Sequence, residues 1–350
     1  MSIKSINSRL CLLIDITCYS YGVSQMIRIW GMAVKTITDD NRLISSGLIR
    51  AVYIILFALI STSGASAAER GASTFIPGTY GDFGVAIKPP PGIYVRNTVF
   101  HYSADRHQKT GVDAKVDVDF WVNYSTASIV TDWTILGAKY NFAFGIPLVD
   151  AEVDQYITGA PALDYFDNRT ATGDFFIVPV SLFWTFGDLS LNLYEYIVTP
   201  TGAFSKNKIA NAGFGHWAFQ THLAMTWLNP ERGQEISLNV GHVFNAENSD
   251  TNYKTGQEVF AEYLVAQYLS PEFGIGLQGY FHKQITGDSG RGASFGDFKG
   301  AAAGIGPAVL WNTKFGDQKA AFIGKWLHEY HADKRFKGNF IYGTLVLSFD

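Results

Sequence analysis

Apolar and polar side chains alternate with period two along much of the chain after residue 68. Between residues 112 and 124, Val112, Ala114, Val116, Val118, Phe120, Val122 and Tyr124 share one face. Asp113, Lys115, Asp117, Asp119 and Asn123 share the other, with Trp121 the one apolar exception. Successive side chains of a strand point to opposite faces, so this segment predicts a strand with one face in an apolar medium and one in water. Residues 214–227 repeat the pattern, with Trp217, Phe219, Leu223, Met225 and Trp227 against His216, Ala218, Gln220, His222 and Thr226. Residues 234–244, 273–281 and 322–331 do so as well, the last with Ile323 and Leu327 breaking the wet face. Further candidate strands are 93–102, 133–144, 175–186, 189–198, 257–269, 300–311 and 339–349; Pro179 weakens the third of these.

Each segment is near the ~9–11 residues that a tilted strand needs to cross a bilayer. Tight links (187–188, 229–233, 270–272) alternate with longer polar ones (150–173, 199–213, 245–256, 286–299). Short turns at one rim and long loops at the other are the pattern of an outer-membrane barrel. A soluble β-sandwich also alternates. Aromatic placement favours the barrel: Trp217 and Trp227 mark opposite ends of one apolar face, as Phe322 and Tyr330 do of another, where two interfacial girdles would sit. The prediction is an all-β fold, a transmembrane antiparallel up-and-down barrel of about 12 strands, within a range of about 10–14 and with 14 as the alternative.

Composition fits this reading. Of 350 residues only 17% are charged, 15% are aromatic and 35 are glycine. The net charge of −4 gives no basic surface for nucleic acid. No stretch after residue 68 is apolar enough, for long enough, to form a spanning helix.

The first 67 residues read as a targeting segment. Arg42 and Arg50 precede an apolar run of ten, residues 51–60, and Ala65-Ser66-Ala67 follows as a small-residue cleavage site. The stretch before Arg42 is long for a signal, so Met26 or Met32 is a candidate start. Cys11 and Cys18 both precede the expected cut, which leaves no thiol, disulfide or thiolate metal site to propose in the mature chain. Residues 68–92 carry Pro77, Pro89, Pro90 and Pro91 beside apolar Phe75, Ile76 and Phe83. Proline bars them from a sheet interior, so they are expected as a plug in the lumen or as a periplasmic arm. In the plug reading Phe75, Ile76 and Phe83 pack on lumen aromatics, while Asp82 and Lys88 meet the charged wall of Asp113, Lys115, Asp117 and Asp119. Residues 93–350 are expected to form the barrel.

The runs Glu69-Arg70-Gly71, Ile76-Pro77-Gly78, Gly81-Asp82-Phe83-Gly84 and Pro89-Pro90-Pro91-Gly92-Ile93-Tyr94 resemble the opening of the phenol meta-pathway degradation (MetA-pathway) family of outer-membrane β-barrel transporters. The resemblance continues weakly through the hairpins to the alternating Gly343-to-Phe349 ending. It implies uptake of small apolar or aromatic compounds. An aromatic near the C-terminus is also what the barrel-assembly machinery reads; here Phe349 is penultimate, with Asp350 after it.

The chemistry on the wet faces is sparse. Asp113, Lys115, Asp117 and Asp119 read as a pore wall or as an ion-pair network with Arg96, Lys139 or Lys325. His216 and His222 share a face with Gln220 but stand about 20 Å apart along a strand, too far to hold one metal. Glu258, Phe260 and Glu262 share a face, Tyr280 lies on another, and Lys325 and Glu329 on a third. All of these are lumen or solute-path candidates. No catalytic motif, metal site or cofactor motif stands out, and the chain is not expected to be an enzyme. The expected function is passive passage of a small apolar or aromatic solute through a monomeric barrel in outer-membrane lipid. The alternatives are a structural or adhesive barrel with a blocked lumen, and a lipid-modifying barrel enzyme.

Overall fold

The structure, a computed structural model, describes residues 69–108, 113–293 and 299–349. The expected targeting segment, with Cys11 and Cys18, lies outside these residues, as do Val112 and Asp350.

The strands are β1 (Gly92–Gln108), β2 (Ala114–Ile135), β3 (Ala138–Ile157), β4 (Tyr165–Thr172), β5 (Phe176–Phe186), β6 (Leu189–Val198), β7 (Ala218–Asn229), β8 (Gln234–Asn245), β9 (Glu258–Tyr268), β10 (Phe273–Gln284), β11 (Ala301–Phe315), β12 (Gln318–Asp333) and β13 (Lys337–Phe349). Sequence neighbours pair antiparallel except β4 and β5, which both pair with β3, and β1 closes the sheet by pairing with β13, from Ile93↔Phe349 to Asp105↔Lys337. β4 and β5 share one side of β3: β4 covers residues 148–155 and β5 covers residues 139–145. Together they fill one wall position, so the sheet is a closed 12-strand up-and-down barrel. Among the described strands only β4, toward the loop end, keeps an edge without a ladder partner, so the wall is otherwise closed as a strand protein in lipid requires.

The connections alternate as expected. Residues 136–137, 187–188, 230–233, 269–272 and 316–317 form tight turns at one end. The longer loops 158–164, 199–217 and 246–257, with the described residues 285–293, stand at the other. Two predicted elements differ. The expected strand 133–144 is broken by a turn at Leu136-Gly137, with φ of 51° and 76°. Two residues of positive φ match the right-handed strand twist, but Asn-Gly is the usual pair there; leucine hides the turn inside an apolar run. The expected loop 150–173 is mostly strand, because β3 runs on to Ile157 and β4 returns from Tyr165. Pro179 sits in β5 at a bulge, where the register shifts against both β3 and β6. The bulge removes the need for the N–H that proline lacks.

Outward positions are apolar over most strands. Leu193, Leu223, Val240, Val265, Leu277, Val309 and Ile341 form an exposed middle band. Trp121, Trp217, Phe281 and Tyr330 stand outward toward the loop end, and Trp133, Phe186, Trp311, Phe315 and Phe349 toward the turn end. This is a lipid-facing surface with an aromatic girdle at each interface.

Candidate functional site

The candidate site is the barrel interior. Strand register sets its wall as rows of inward side chains. One row crosses five strands as Tyr194, His222, Gly241, Phe260 and His282. A second runs Asn192, Ala224, Asn239, Glu262, Tyr280, Gly304, Glu329. Gly241 makes the first row possible: a Cβ there would lie 2.2 Å from the Phe260 ring. Glycine lets a backbone approach an aromatic face that any other residue would push away.

Residues 69–91 run through this interior. Glu69 donates its N–H to Thr255 Oγ1 in the 246–257 loop, at the loop end, while Gly92 opens β1 at the turn end. Between them, side chains from the wall satisfy the segment's backbone. Glu262 accepts the N–H of Gly78 at 2.6 Å and of Tyr80 at 2.8 Å. Gln220, Gln278 and Asn239 donate side-chain N–H groups to the carbonyls of Thr74, Gly78 and Tyr80. Glu235 accepts from Gly84 N–H and Thr226 from Ala86 N–H. A chain with no ladder partner, buried in a barrel, must find side-chain partners for its peptide groups, and here it does. Two glycines permit the close approach. A Cβ on Gly78 would lie 2.6 Å from Leu327 Cδ1, and one on Gly81 2.8 Å from Glu262 Cβ.

Apolar contacts reinforce these bonds. Phe75, 1% exposed, stacks on Phe260 at 4.3 Å and on His282 at 5.3 Å. Tyr80 lies 4.7 Å from His222 and 5.7 Å, edge-on, from Tyr196. Phe83 meets Tyr268 edge-on at 6.1 Å. Aromatic pairs of this kind contribute about 0.5–1.5 kcal/mol each beyond area burial. Ile76 packs beside the same cluster, and Lys88 is half-buried.

Asp82 is the charged anchor. Its carboxylate contacts Arg96 of β1 and accepts a bond from Lys325 Nζ of β12 at 2.7 Å. The two cations offset the cost of burying this carboxylate. Elsewhere on the wall His282 Nε2 lies 2.6 Å from Glu258 Oε2, and Tyr102 donates to Glu329 at 2.9 Å. Tyr280 also reaches Glu329.

Of the predicted site residues, Gln220, His222, Glu258, Phe260, Glu262, Tyr280, Lys325 and Glu329 are buried in this interior. His216 is buried at the base of the 199–217 loop, its Nε2 3.3 Å from Asn245 Oδ1, and Asn245 in turn donates to Glu258 at 3.2 Å. The charged wall is corrected. Lys115, Asp117 and Asp119 face outward on β2, with Asp113 just before it, while Val118, Val122 and Tyr124 are the buried side. Their partners are local: His101 with Asp119 at 2.7 Å, His107 with Asp113 at 2.6 Å, Lys115 with Asp117 at 2.7 Å. The reason is length. β1, β2 and β3 have 17, 22 and 20 residues, well beyond the ~9–11 that cross a bilayer. Their loop-end parts stand clear of lipid, so the outer face there is wet and the inner face packs with Ala104, Ala151 and Val153. Asp82 therefore meets Arg96 and Lys325, not Asp113 to Asp119. Asn239, Gln278 and His282 are interior residues that the sequence reading did not single out; their place on polar faces was the signal. Among the described residues, no group of three or more His, Cys, Asp or Glu could hold a metal ion.

Comparison with known proteins gives the same architecture. A family model described as "Putative MetA-pathway of phenol degradation" matches residues 103–345. The match begins after the 69–94 runs, so it rests on the hairpins. No curated protein matches. An outer membrane channel from Pseudomonas putida F1, at 13% identity and TM-score 0.61, covers 79% of this chain and 100% of its own. The transport unit of the autotransporter AIDA-I from Escherichia coli has 10% identity and TM-score 0.41, covering 74% of this chain and 90% of its own. A FadL homologue from Pseudomonas aeruginosa has 11% identity and TM-score 0.33, covering 82% and 96%. The first supports the fold, and the other two are too distant to add to it. A closed barrel with an apolar, aromatic-girdled outer face resides in the outer membrane.

Proposed function

The chain belongs to the family described as a putative MetA-pathway of phenol degradation, and on that premise we propose that it is an outer-membrane channel for passive uptake of small apolar or aromatic compounds, with residues 68–92 as its plug. The observation that carries this reading is the ring-lined interior around Phe260 and Tyr280, occupied by Phe75 and Tyr80 of a segment that belongs to no strand. Rings and aliphatic side chains favour apolar solutes, and the amides and carboxylates among them limit how tightly such solutes are held. A plug held by side-chain hydrogen bonds can leave without breaking the barrel's own ladder.

Flux measurements in liposomes test this reading. Toluene and phenol should cross vesicles containing the protein faster than glucose does. Deleting residues 71–88 should leave a folded barrel with raised conductance in planar bilayers. A deletion variant that folds, inserts and conducts no more than the full chain would show that the segment is not the plug. A barrel that passes no aromatic solute with or without the segment would support the structural or adhesive reading, for which the filled interior speaks.

The proposal extends to processing and assembly. Residues 1–67 act as a removable targeting segment, so the mature chain should begin near Ala68 or Glu69 by mass spectrometry; an intact leader on the outer-membrane form would oppose this. Phe349, outward at the end of β13, is offered to the barrel-assembly machinery. Phe349→Ala should lower the amount of inserted protein, and unchanged insertion would count against that role. The barrel works as a monomer, which light scattering in detergent checks. The named relative of like fold is a channel, and no enzymatic step is proposed.

A further inference from the structure

Among the described strands, β4 alone has a ladder partner on one side only, running from Leu148↔Thr172 to Gln155↔Tyr165. In an antiparallel pair, alternate residues turn both backbone groups toward the neighbour, and the residues between them turn both away. Gly173 N–H donates to Pro147 O of β3 at 2.9 Å, which sets the phase. Asp167, Arg169 and Ala171 therefore bond to β3, while Phe166, Asn168, Thr170 and Thr172 present their N–H and C=O groups to the open edge. The 199–217 loop agrees with this phase and uses two of those groups. Ala203 N–H donates to Thr172 O at 2.9 Å, and Lys208 Nζ to Asn168 O at 3.3 Å. Phe166 and Thr170 keep both backbone groups without a partner among the described residues, and Asn168 keeps its N–H.

The outer face beside this edge is acidic. Phe166, Asn168 and Thr170 are exposed on it, opposite Asp154, Glu152 and Asp150 of β3. Asp117 and Asp119 of β2 continue the first two rows. Asp117 has Lys115 beside it and Asp119 has His101, whereas Glu152 and Asp154 have no ion-pair partner among the described residues. This end of the hairpin stands clear of lipid at the rim that carries the long loops, so the edge opens on the medium outside the cell.

We propose that the free edge of β4 is a docking site for an extended, basic segment of another protein, which adds to the wall there as a further strand. Strand addition draws affinity from main-chain hydrogen bonds and specificity from alternate side chains. Beside β4, every second side chain of the guest lies on the outer face, about 10 Å from the carboxylates of β3. Lysine or arginine at those positions reaches Glu152 and Asp154, with its stem lying over Phe166 and Asn168. A guest N–H takes Asn168 O from Lys208, which keeps Asp167 as its partner at 2.6 Å. A second copy of this chain is the poorer guest, since its own β4 would bring acid beside acid. Docking of this kind does not depend on which solute, if any, the barrel passes.

The test uses full-length protein in lipid nanodiscs and two short fluorescent peptides, one alternating lysine with threonine and one alternating glutamate with threonine. Fluorescence anisotropy should show binding of the first and none of the second. Glu152→Gln combined with Asp154→Asn should weaken the basic peptide several-fold, and added salt should do the same. Thr170→Pro removes an edge N–H and leaves the β3 ladder intact, because residue 170 turns away from β3 and proline is tolerated at such an edge. It should weaken binding about tenfold. Thr170→Val loses the same hydroxyl but keeps the N–H, and should bind as the unaltered protein does. If Thr170→Pro fails to insert, the peptide supplies the test. N-methylation of one alternate set of its residues should abolish binding to the unaltered protein, and methylation of the other set should not. Equal binding by both methylated peptides, or by the proline and valine variants, would reduce the contact to charge and overturn the proposal. Failure of the unaltered protein to bind the basic peptide would overturn it as well. Self-association in detergent that Thr170→Pro abolishes would give the edge to a second copy instead.

Discussion

Lys325 Nζ lies 2.7 Å from Oδ1 of Asp82, joining β12 to the segment inside the barrel, with both side chains nearly inaccessible to water. Arg96 shares the same carboxylate from β1. A buried carboxylate between two cations is stable only as a set, since removing one member leaves charge without compensation. Asp82→Asn should therefore destabilise the folded protein by about 3–5 kcal/mol, or release the segment at lower cost. Denaturant unfolding in vesicles reports the first outcome and raised conductance the second.

Gly81 tests the fit of the segment. A side chain there would press on Glu262, whose carboxylate already accepts from Gly78 and Tyr80. Gly81→Val should cost about 1–3 kcal/mol at this contact. The barrel should remain resistant to unfolding on unheated gels while its conductance moves toward that of the 71–88 deletion.

Inward and outward positions should tolerate charge differently. Leu223, outward in the middle of β7 and paired with Leu193 and Val240, should lose about 2–4 kcal/mol on change to Arg if it sits at the bilayer midplane. Asp117→Asn, on the wet outer face of β2, should stay within about 0.5 kcal/mol. Equal costs in a vesicle unfolding assay would contradict the placement of the lipid band.

Leu136 carries a cost of its own. It is 85% exposed and adopts φ of 51°, a conformation that disfavours leucine and suits asparagine. Leu136→Asn should stabilise the β2–β3 hairpin by about 1 kcal/mol, read as a shift in unfolding midpoint.

Period-two alternation made nearly every strand legible, because a half-buried strand separates its side chains by chemistry. It marked the two faces of β2 but not which one looks inward. The valine face was expected to meet lipid. Instead Val118 packs inside, and Asp117 and Asp119 look outward, because that part of the hairpin stands beyond the lipid and the medium outside has changed. Alternation reports contrast between two sides, and the sign comes from depth. On β7, β9, β10 and β12 lipid does fix the sign, and Gln220, Phe260, Tyr280 and Lys325 are buried. Arg96 could be named as a partner from sequence, but its carboxylate could not: Asp82 lies on a segment without periodicity, and no pattern places such a residue against a wall.

The course of residues 69–91 also constrains how the molecule is built. The segment is tied to β1 at one rim and pinned by Glu69 at the other. A barrel zipped shut first would have to be threaded lengthwise, drawing charged Glu69 past the rings of Phe260 and Tyr280. Laying the segment along an open sheet, before β1 meets β13, avoids that passage. The segment then serves as a mandrel on which the wall is curled, and the pairing from Ile93↔Phe349 to Asp105↔Lys337 becomes the final seam of assembly.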